Sequence, residues 1–298
     1  MRLYRSTAEL DFDSVSQLPP RAEPGRVLMV RPDYFEVAYV INPHMEGHVG
    51  AVDRQRAQEQ WEALRGTYER LGFPVIALPG VEGLPDMVFA ANQSLPFQSP
   101  EGERRVWMSR MHAPERRPEV PYIEAWYRSE GYRIDHFLDP EISDFEGMGD
   151  AIWHPGHMLL WGGYGFRSSL RAYEEIARRW GVRVIALELR DPDFYHLDTC
   201  FCALDERTVL IYPGAFTREG LALIGALWPR VLEAPESEAR RLFACNAHCP
   251  DGRHVLIQAG CRETIRCLRT QGFEVIELDT GEYLKSGGSV FCMKMMVY

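Results

Sequence analysis

One phrase recurs five times along the chain: a helix end, a small residue or turn, then a short apolar strand. It reads Gly72-Phe73-Pro74-Val75-Ile76-Ala77-Leu78, Gly131-Tyr132-Arg133-Ile134-Asp135, Gly181-Val182-Arg183-Val184-Ile185-Ala186-Leu187, Pro229-Arg230-Val231-Leu232-Glu233 and Gly272-Phe273-Glu274-Val275-Ile276-Glu277-Leu278. The spacing of roughly fifty residues is that of a repeat architecture, in which no unit buries its apolar face alone. After these strands come more polar segments, and there stand Asn92, Glu146, His196 with Asp198, and Cys292. In a closed ring of five modules, equivalent positions face one central cavity.

Each module holds more than a strand and a crossover. Helical spacing runs from Arg54 to Leu71, Pro118 to Glu130, Leu170 to Trp180, Thr217 to Trp228 and Arg262 to Gln271. Paired apolar runs around a turn, Ala151 to Trp161 and Phe201 to Ile211, read as hairpins. The unit is therefore ββαβ, and the fold class is α/β, five such modules about a pseudo-fivefold axis. Residues 1–24 lack either period and read as an N-terminal extension that covers an edge. No internal linker interrupts the series, so 1–298 is expected to be one catalytic domain. Asp86 to Asn92 reads as a short apolar strand with polar ends, and His196 and Asp198, two apart, as neighbours on one strand face.

A net charge of -10 argues against a nucleic-acid footprint, which requires clustered basic residues. The only lysines are Lys285 and Lys294. No apolar run is long enough for a membrane span, and the first residues lack a signal-peptide core. Seven scattered cysteines suggest reduced thiols and a cytoplasmic setting. A small molecule is the expected partner, with no nucleic acid and no membrane; a homo-oligomer stays open.

The chemical residues sit in unusual surroundings. Cys292 follows Gly287-Gly288, where the backbone can approach a ligand closely. Glu146 precedes Gly147 and Gly149, a setting that suits a carboxylate orienting His196. Singly, each has an ordinary reading: a small buried thiol, a hydrogen-bonded core histidine, a turn acid. Cys245, His248 and Cys249, with Cys200 and Cys202 near His196, raise a zinc site, but no second closely spaced ligand pair accompanies them. No metal and no cofactor are expected.

Together, Phe145-Glu146-Gly147, His196-Leu197-Asp198-Thr199, Gly163-Tyr164-Gly165-Phe166-Arg167 and the Gly287 to Cys292 stretch resemble the guanidino-group-modifying enzymes, the pentein superfamily. It includes arginine deiminases, dimethylarginine dimethylaminohydrolases, amidinotransferases and arginine dihydrolases. The resemblance covers Arg26 to Met293 and implies a five-bladed α/β propeller, which agrees with the repeat. It implies Cys292 as nucleophile, His196 as general acid and base and Glu146 as its partner. Asp198, Asn92, Asn42, Phe89 and Ser289 are then substrate-binding residues, and Arg110 and Arg167 hold the substrate α-carboxylate. The implied activity is hydrolysis of the guanidinium of arginine or a close derivative through a covalent thiouronium. Asn92, where deiminases and dimethylarginine hydrolases carry a second carboxylate, resembles the arginine dihydrolases. Dimethylarginine hydrolysis, amidino transfer and a catalytically inactive binding module are the alternatives.

Overall fold

The computed structural model describes residues 2–298 and shows five small sheets, each built as strand, strand, helix, strand. In the first blade Met295–Val297 lies antiparallel to Arg26–Val30, which runs parallel to Val75–Leu78. The helix Arg54–Arg70 makes the crossover. The second blade is Ser94–Gln98, Arg104–Met108, helix Val120–Ser129 and Arg133–Asp135. The third is Ala151–Trp153, Leu159–Tyr164, helix Leu170–Trp180 and Arg183–Glu188. The fourth is Phe201–Ala203, Thr208–Ile211, helix Arg218–Leu227 and Arg230–Glu233. The fifth pairs His254–Gln258 with Glu274–Leu278 across helix Arg262–Thr270, its first, antiparallel strand reduced to a bridge between His248 and Leu256. The C-terminal strand thus completes the first blade and closes the ring. This is the five-bladed α/β propeller that the repeat implied.

The recurring phrase is the joint between each blade's helix and its last strand. In the third blade Ala172, Tyr173, Ile176, Ala177 and Trp180 bury one helix face. Gly181 then adopts a left-handed φ of 69°, ending the helix at little steric cost, and the chain turns into the strand. In the fourth copy the helix stops at Leu227 and Pro229, lacking an N–H, stands where the others carry glycine. The first two strands of the third blade are buried almost throughout, as a blade covered by a helix and two neighbours requires. Aromatic contacts join blades: Phe97 of the second stacks on Trp153 at 5.3 Å and on Trp180 at 4.8 Å. Such pairs add roughly 0.5–1.5 kcal/mol beyond simple burial.

The N-terminal arm covers an edge of the third blade. Leu3–Tyr4 pairs in parallel with Val184 and Ile185, and Arg21 N–H donates to the Gly156 carbonyl. No helix among the described residues is long and apolar enough to cross a membrane.

Two local expectations fail, both at the axis. Asp86 to Asn92 is not a strand but a 3-10 turn, Pro85–Val88, followed by further turns. Pro85 fixes its own φ and starts this turn, and Ala91 N–H donates to the Cys292 carbonyl instead of a ladder. His196 and Asp198 do not share a strand face either. His196 caps the 3-10 turn Leu197–Thr199, which sends the two side chains to different partners.

Candidate active site

The inner ends of the blades carry the polar residues. Glu146 leads into the one-turn helix Gly147–Asp150 at the start of the third blade, and His196 precedes the fourth. His196 Nε2 lies 2.6 Å from Glu146 Oε2. The other oxygen, Oε1, accepts the His112 backbone N–H at 2.9 Å and faces Arg167 Nη1 at 3.5 Å. Burial opposes the charge of Glu146, but the hydrogen bond and charge of His196, then Arg167 and Arg116, outweigh it and hold the carboxyl below its usual range. Gly149 sits beneath this pair: a Cβ there would lie 3.4 Å from the imidazole and only 2.3 Å from the Asn92 amide nitrogen.

Asp150 fastens the same region. Its carboxylate accepts Leu197 N–H at 3.0 Å and the Ser168 hydroxyl at 2.7 Å, and burial pushes its pKa up to about 7.

Cys292 is 2% exposed. Its Sγ lies 3.2 Å from Asp198 Oδ2 and 3.1 Å from Asn246 Nδ2. Burial, then the Asp198 charge, raises the thiol well above its normal value. Burial likewise pushes Asp198 up to about 7. The sulfur therefore rests as a thiol donating to a carboxylate whose second oxygen, Oδ1, has no partner.

A small cavity opens over the sulfur, lined among others by Asn42, Asp86, Phe89, Asn92, Arg167 and His196. Glu146 and Asp198 stand behind that lining, each hydrogen-bonded to a residue in it. Asn42 caps the turn Pro43–Met45 through Oδ1 and donates from Nδ2 to the Ser286 carbonyl at 3.1 Å. Phe89 packs where a Cβ on Gly288 would lie 2.5 Å from its ring, so the glycine permits the nucleophile loop to come this near. Arg167 lies over the Tyr195 ring at 5.0 Å.

Asn92 has a fixed orientation. Arg116, which can only donate, reaches Asn92 Oδ1 at 2.9 Å, so the unpartnered Nδ2 is the amine end. Arg116 is itself held by Glu119, at 3.0 and 2.9 Å, and by the Asp86 carbonyl.

Two expected substrate ligands are placed elsewhere. The Arg110 guanidinium donates to the carbonyls of Phe137, Asp139 and Ile142 and is not part of the cavity wall. The antiparallel bridge of Arg110 to Phe145 aims its side chain into that loop. Ser289 directs its hydroxyl to Thr280 Oγ1 at 2.7 Å and its N–H to Asn246 Oδ1, away from the cavity. Conversely, Asp86, Arg116, Tyr195 and Asn246 belong to the site and were not singled out as site residues from sequence. Asp86 begins the segment that yielded Asn92, and Asn246 lies inside the Cys245 to Cys249 cluster that suggested zinc. Within that cluster His248 bonds to the Tyr68 hydroxyl, and Cys202 Sγ faces the Ala247 carbonyl.

Comparison with known proteins places this geometry in a family. A bifunctional arginine dihydrolase/ornithine cyclodeaminase, ArgZ of a Synechocystis species, is 38% identical over 93% of this chain, which spans only 38% of that longer protein. An N(G),N(G)-dimethylarginine dimethylaminohydrolase of Mycobacterium tuberculosis is 38% identical over 94% of this chain and 89% of its own length. The crystal structure of the ArgZ N-terminal domain covalently bound to a reaction intermediate superposes with a TM-score of 0.84 at 36% identity, covering 92% of this chain and 97% of that one. Residues 40–298 match the family described as N,N dimethylarginine dimethylhydrolase, eukaryotic, and the chain belongs to this family of guanidino-modifying hydrolases.

Proposed function

We propose that the protein hydrolyses arginine twice, to ornithine, carbon dioxide and two molecules of ammonia, with Cys292 as nucleophile. The observation that carries this reading is the Asn92 amide, whose oxygen is held by Arg116 and whose buried N–H₂ has no partner in the protein. A guanidinium presents only donors, so this amide gives it no acceptor; the ureido oxygen of citrulline is an acceptor that Nδ2 can satisfy. The site thus suits the product of the first hydrolysis as a second substrate.

The chemistry follows from the partners already described. The guanidinium lies against Asp198, whose free Oδ1 accepts its N–H groups, and its positive charge lowers the thiol pKa so that the Cys292 proton is released to solvent water as the substrate binds. The thiolate attacks the guanidinium carbon; His196, charged and held by Glu146, protonates the departing ammonia. Water, deprotonated by His196, displaces sulfur to give citrulline. A second attack at the ureido carbon releases ammonia again, and hydrolysis of the resulting S-carbamoyl enzyme leaves an N-carboxylate that loses carbon dioxide. Arg167 at the cavity wall is the counterion for the substrate α-carboxylate, and Asp86, buried with Oδ2 unpartnered, faces its ammonium. We assign Asn42 and Phe89 to the walls that exclude water. All seven cysteines are free, which fits a reducing cytoplasm.

Dimethylarginine hydrolysis is the second reading, favoured by the near-full-length likeness to the mycobacterial enzyme. Incubation with arginine, citrulline and dimethylarginine separates the two. Ornithine with two ammonia per arginine supports the proposal; preferential consumption of dimethylarginine, with citrulline as end product, replaces it.

A further inference from the structure

The geometry points to Asn246 as the residue that positions the Cys292 sulfur and presents it with a fixed N–H donor. The inference rests on Cys292 being the nucleophile of the proposed reaction. Asn246 comes from the fifth blade, which contributes none of the catalytic or substrate-binding residues expected from the sequence. It is fully buried, and both ends of its amide are engaged. Oδ1 accepts the backbone N–H of Ser289 at 3.0 Å and of Cys292 at 3.3 Å. Nδ2 donates to the Asp198 carbonyl at 3.0 Å and points at Cys292 Sγ at 3.1 Å. Its backbone carbonyl also accepts Phe291 N–H at 3.0 Å.

This pattern leaves the amide one orientation. Rotating it by half a turn would face two N–H groups with its NH₂ and the Asp198 carbonyl with its oxygen, losing every bond. The sulfur therefore meets a donor. A donor stabilises a thiolate more than a thiol, since hydrogen bonds to charged groups are the stronger.

The Ser289 backbone N–H favours the thiolate as Asn246 does, and the other side chains facing Cys292 act differently. Asp198, from the turn before the fourth blade, favours the thiol. Tyr195, from the same segment, is neutral, its phenol raised well above the normal value by burial. Lys294, two residues along, has its Nζ 3.2 Å from the Phe291 ring centroid, and burial lowers its pKa to about 7. Substrate neutralises Asp198 only while bound. Asn246 acts throughout both rounds, including the steps in which sulfur departs and reforms as thiolate. The same amide ties the nucleophile loop to the Asp198 turn, so one side chain sets both the distance and the polarity of that pair.

The test reads the thiol rather than turnover, so a wrong substrate assignment leaves it intact. The rate of iodoacetamide alkylation of Cys292 is followed against pH. Asn246→Asp keeps the shape and the acceptor for the two N–H groups but removes the donor. Its profile should move up by about one pH unit or more, slowing alkylation at neutral pH about tenfold. Asn246→Ala, which adds no charge, should move it in the same direction. If the variants do not fold, the side-chain amide resonance of Asn246 in the wild-type protein decides: it should titrate with the alkylation pKa and stop doing so in Cys292→Ala. Superimposable profiles in folded variants, or an amide resonance indifferent to thiol ionisation, overturn the assignment.

Discussion

His196 Nε2 and Glu146 Oε2 are 2.6 Å apart in a pocket where neither residue is more than 2% exposed. The carboxylate has a second hydrogen bond to a backbone N–H, so its position does not depend on the imidazole. Glu146→Gln keeps the shape but removes the charge that stabilises the imidazolium. The expected result is a fall in kcat of about 10²- to 10⁴-fold with little change in KM. An unchanged kcat would remove Glu146 from proton transfer.

Asp198 supplies a pH dependence with a definite sign. Its folded pKa, about 7, lies above the unfolded carboxyl value, so the native state binds more protons between roughly pH 4 and 7. Stability from this group is therefore highest when it is protonated and falls as pH rises through that window. Activity runs the other way, because the guanidinium needs the ionised form. The acid limb of kcat/KM should lie near pH 7, and Asp198→Asn should abolish turnover while raising the melting temperature at pH 8 more than at pH 4. Equal shifts at both pH values would contradict the raised pKa.

The two arginines expected to share one role should separate. Arg167→Met should raise KM for arginine by roughly ten- to a hundredfold, the cost of a charge-assisted contact, and make agmatine as good a substrate as arginine. Arg110→Met should instead lower the melting temperature, since three carbonyls lose their donor, with KM almost unchanged. A KM effect at Arg110 equal to that at Arg167 would put Arg110 back in the site.

How far the sequence discloses the site depends on the reach of each interaction. The blade pattern was readable because each repeat carries its own helix, turn and strand, all set by local periodicity and by residues such as Gly181. Cys292 and Glu146 stood out because glycines beside them have no good structural reason on a surface, and His196 because Asp198 follows two residues on. Arg110 and Arg116 could not be told apart: six residues separate them, and only the packing of the loop Phe137 to Ile142 decides which turns inward. Asn246 was invisible for the same reason, because its partners lie 43 and 46 residues along the chain. The turns at Pro85–Val88 and Leu197–Thr199 replaced expected strands because their backbone bonds serve the axis rather than a ladder.

Asn92 should decide where the reaction stops. Asn92→Asp puts an acceptor where only an N–H₂ was open, which favours the cationic guanidinium and gives the ureido oxygen no donor. The variant should release citrulline from arginine and process added citrulline at least about tenfold more slowly than the wild type, corresponding to one lost hydrogen bond of about 1.4 kcal/mol. Chromatography of the products checks this; ornithine as the sole product of the variant would show that Asn92 does not govern the second step.

Covalent chemistry at Cys292 is the centre of the account, and intact-protein mass spectrometry after acid quench of Glu146→Gln with arginine tests it most directly. A species heavier by arginine less ammonia should appear, map to the peptide containing Cys292, and be absent in Cys292→Ser. Full turnover with no adduct at any time, or an adduct on another residue, would contradict it.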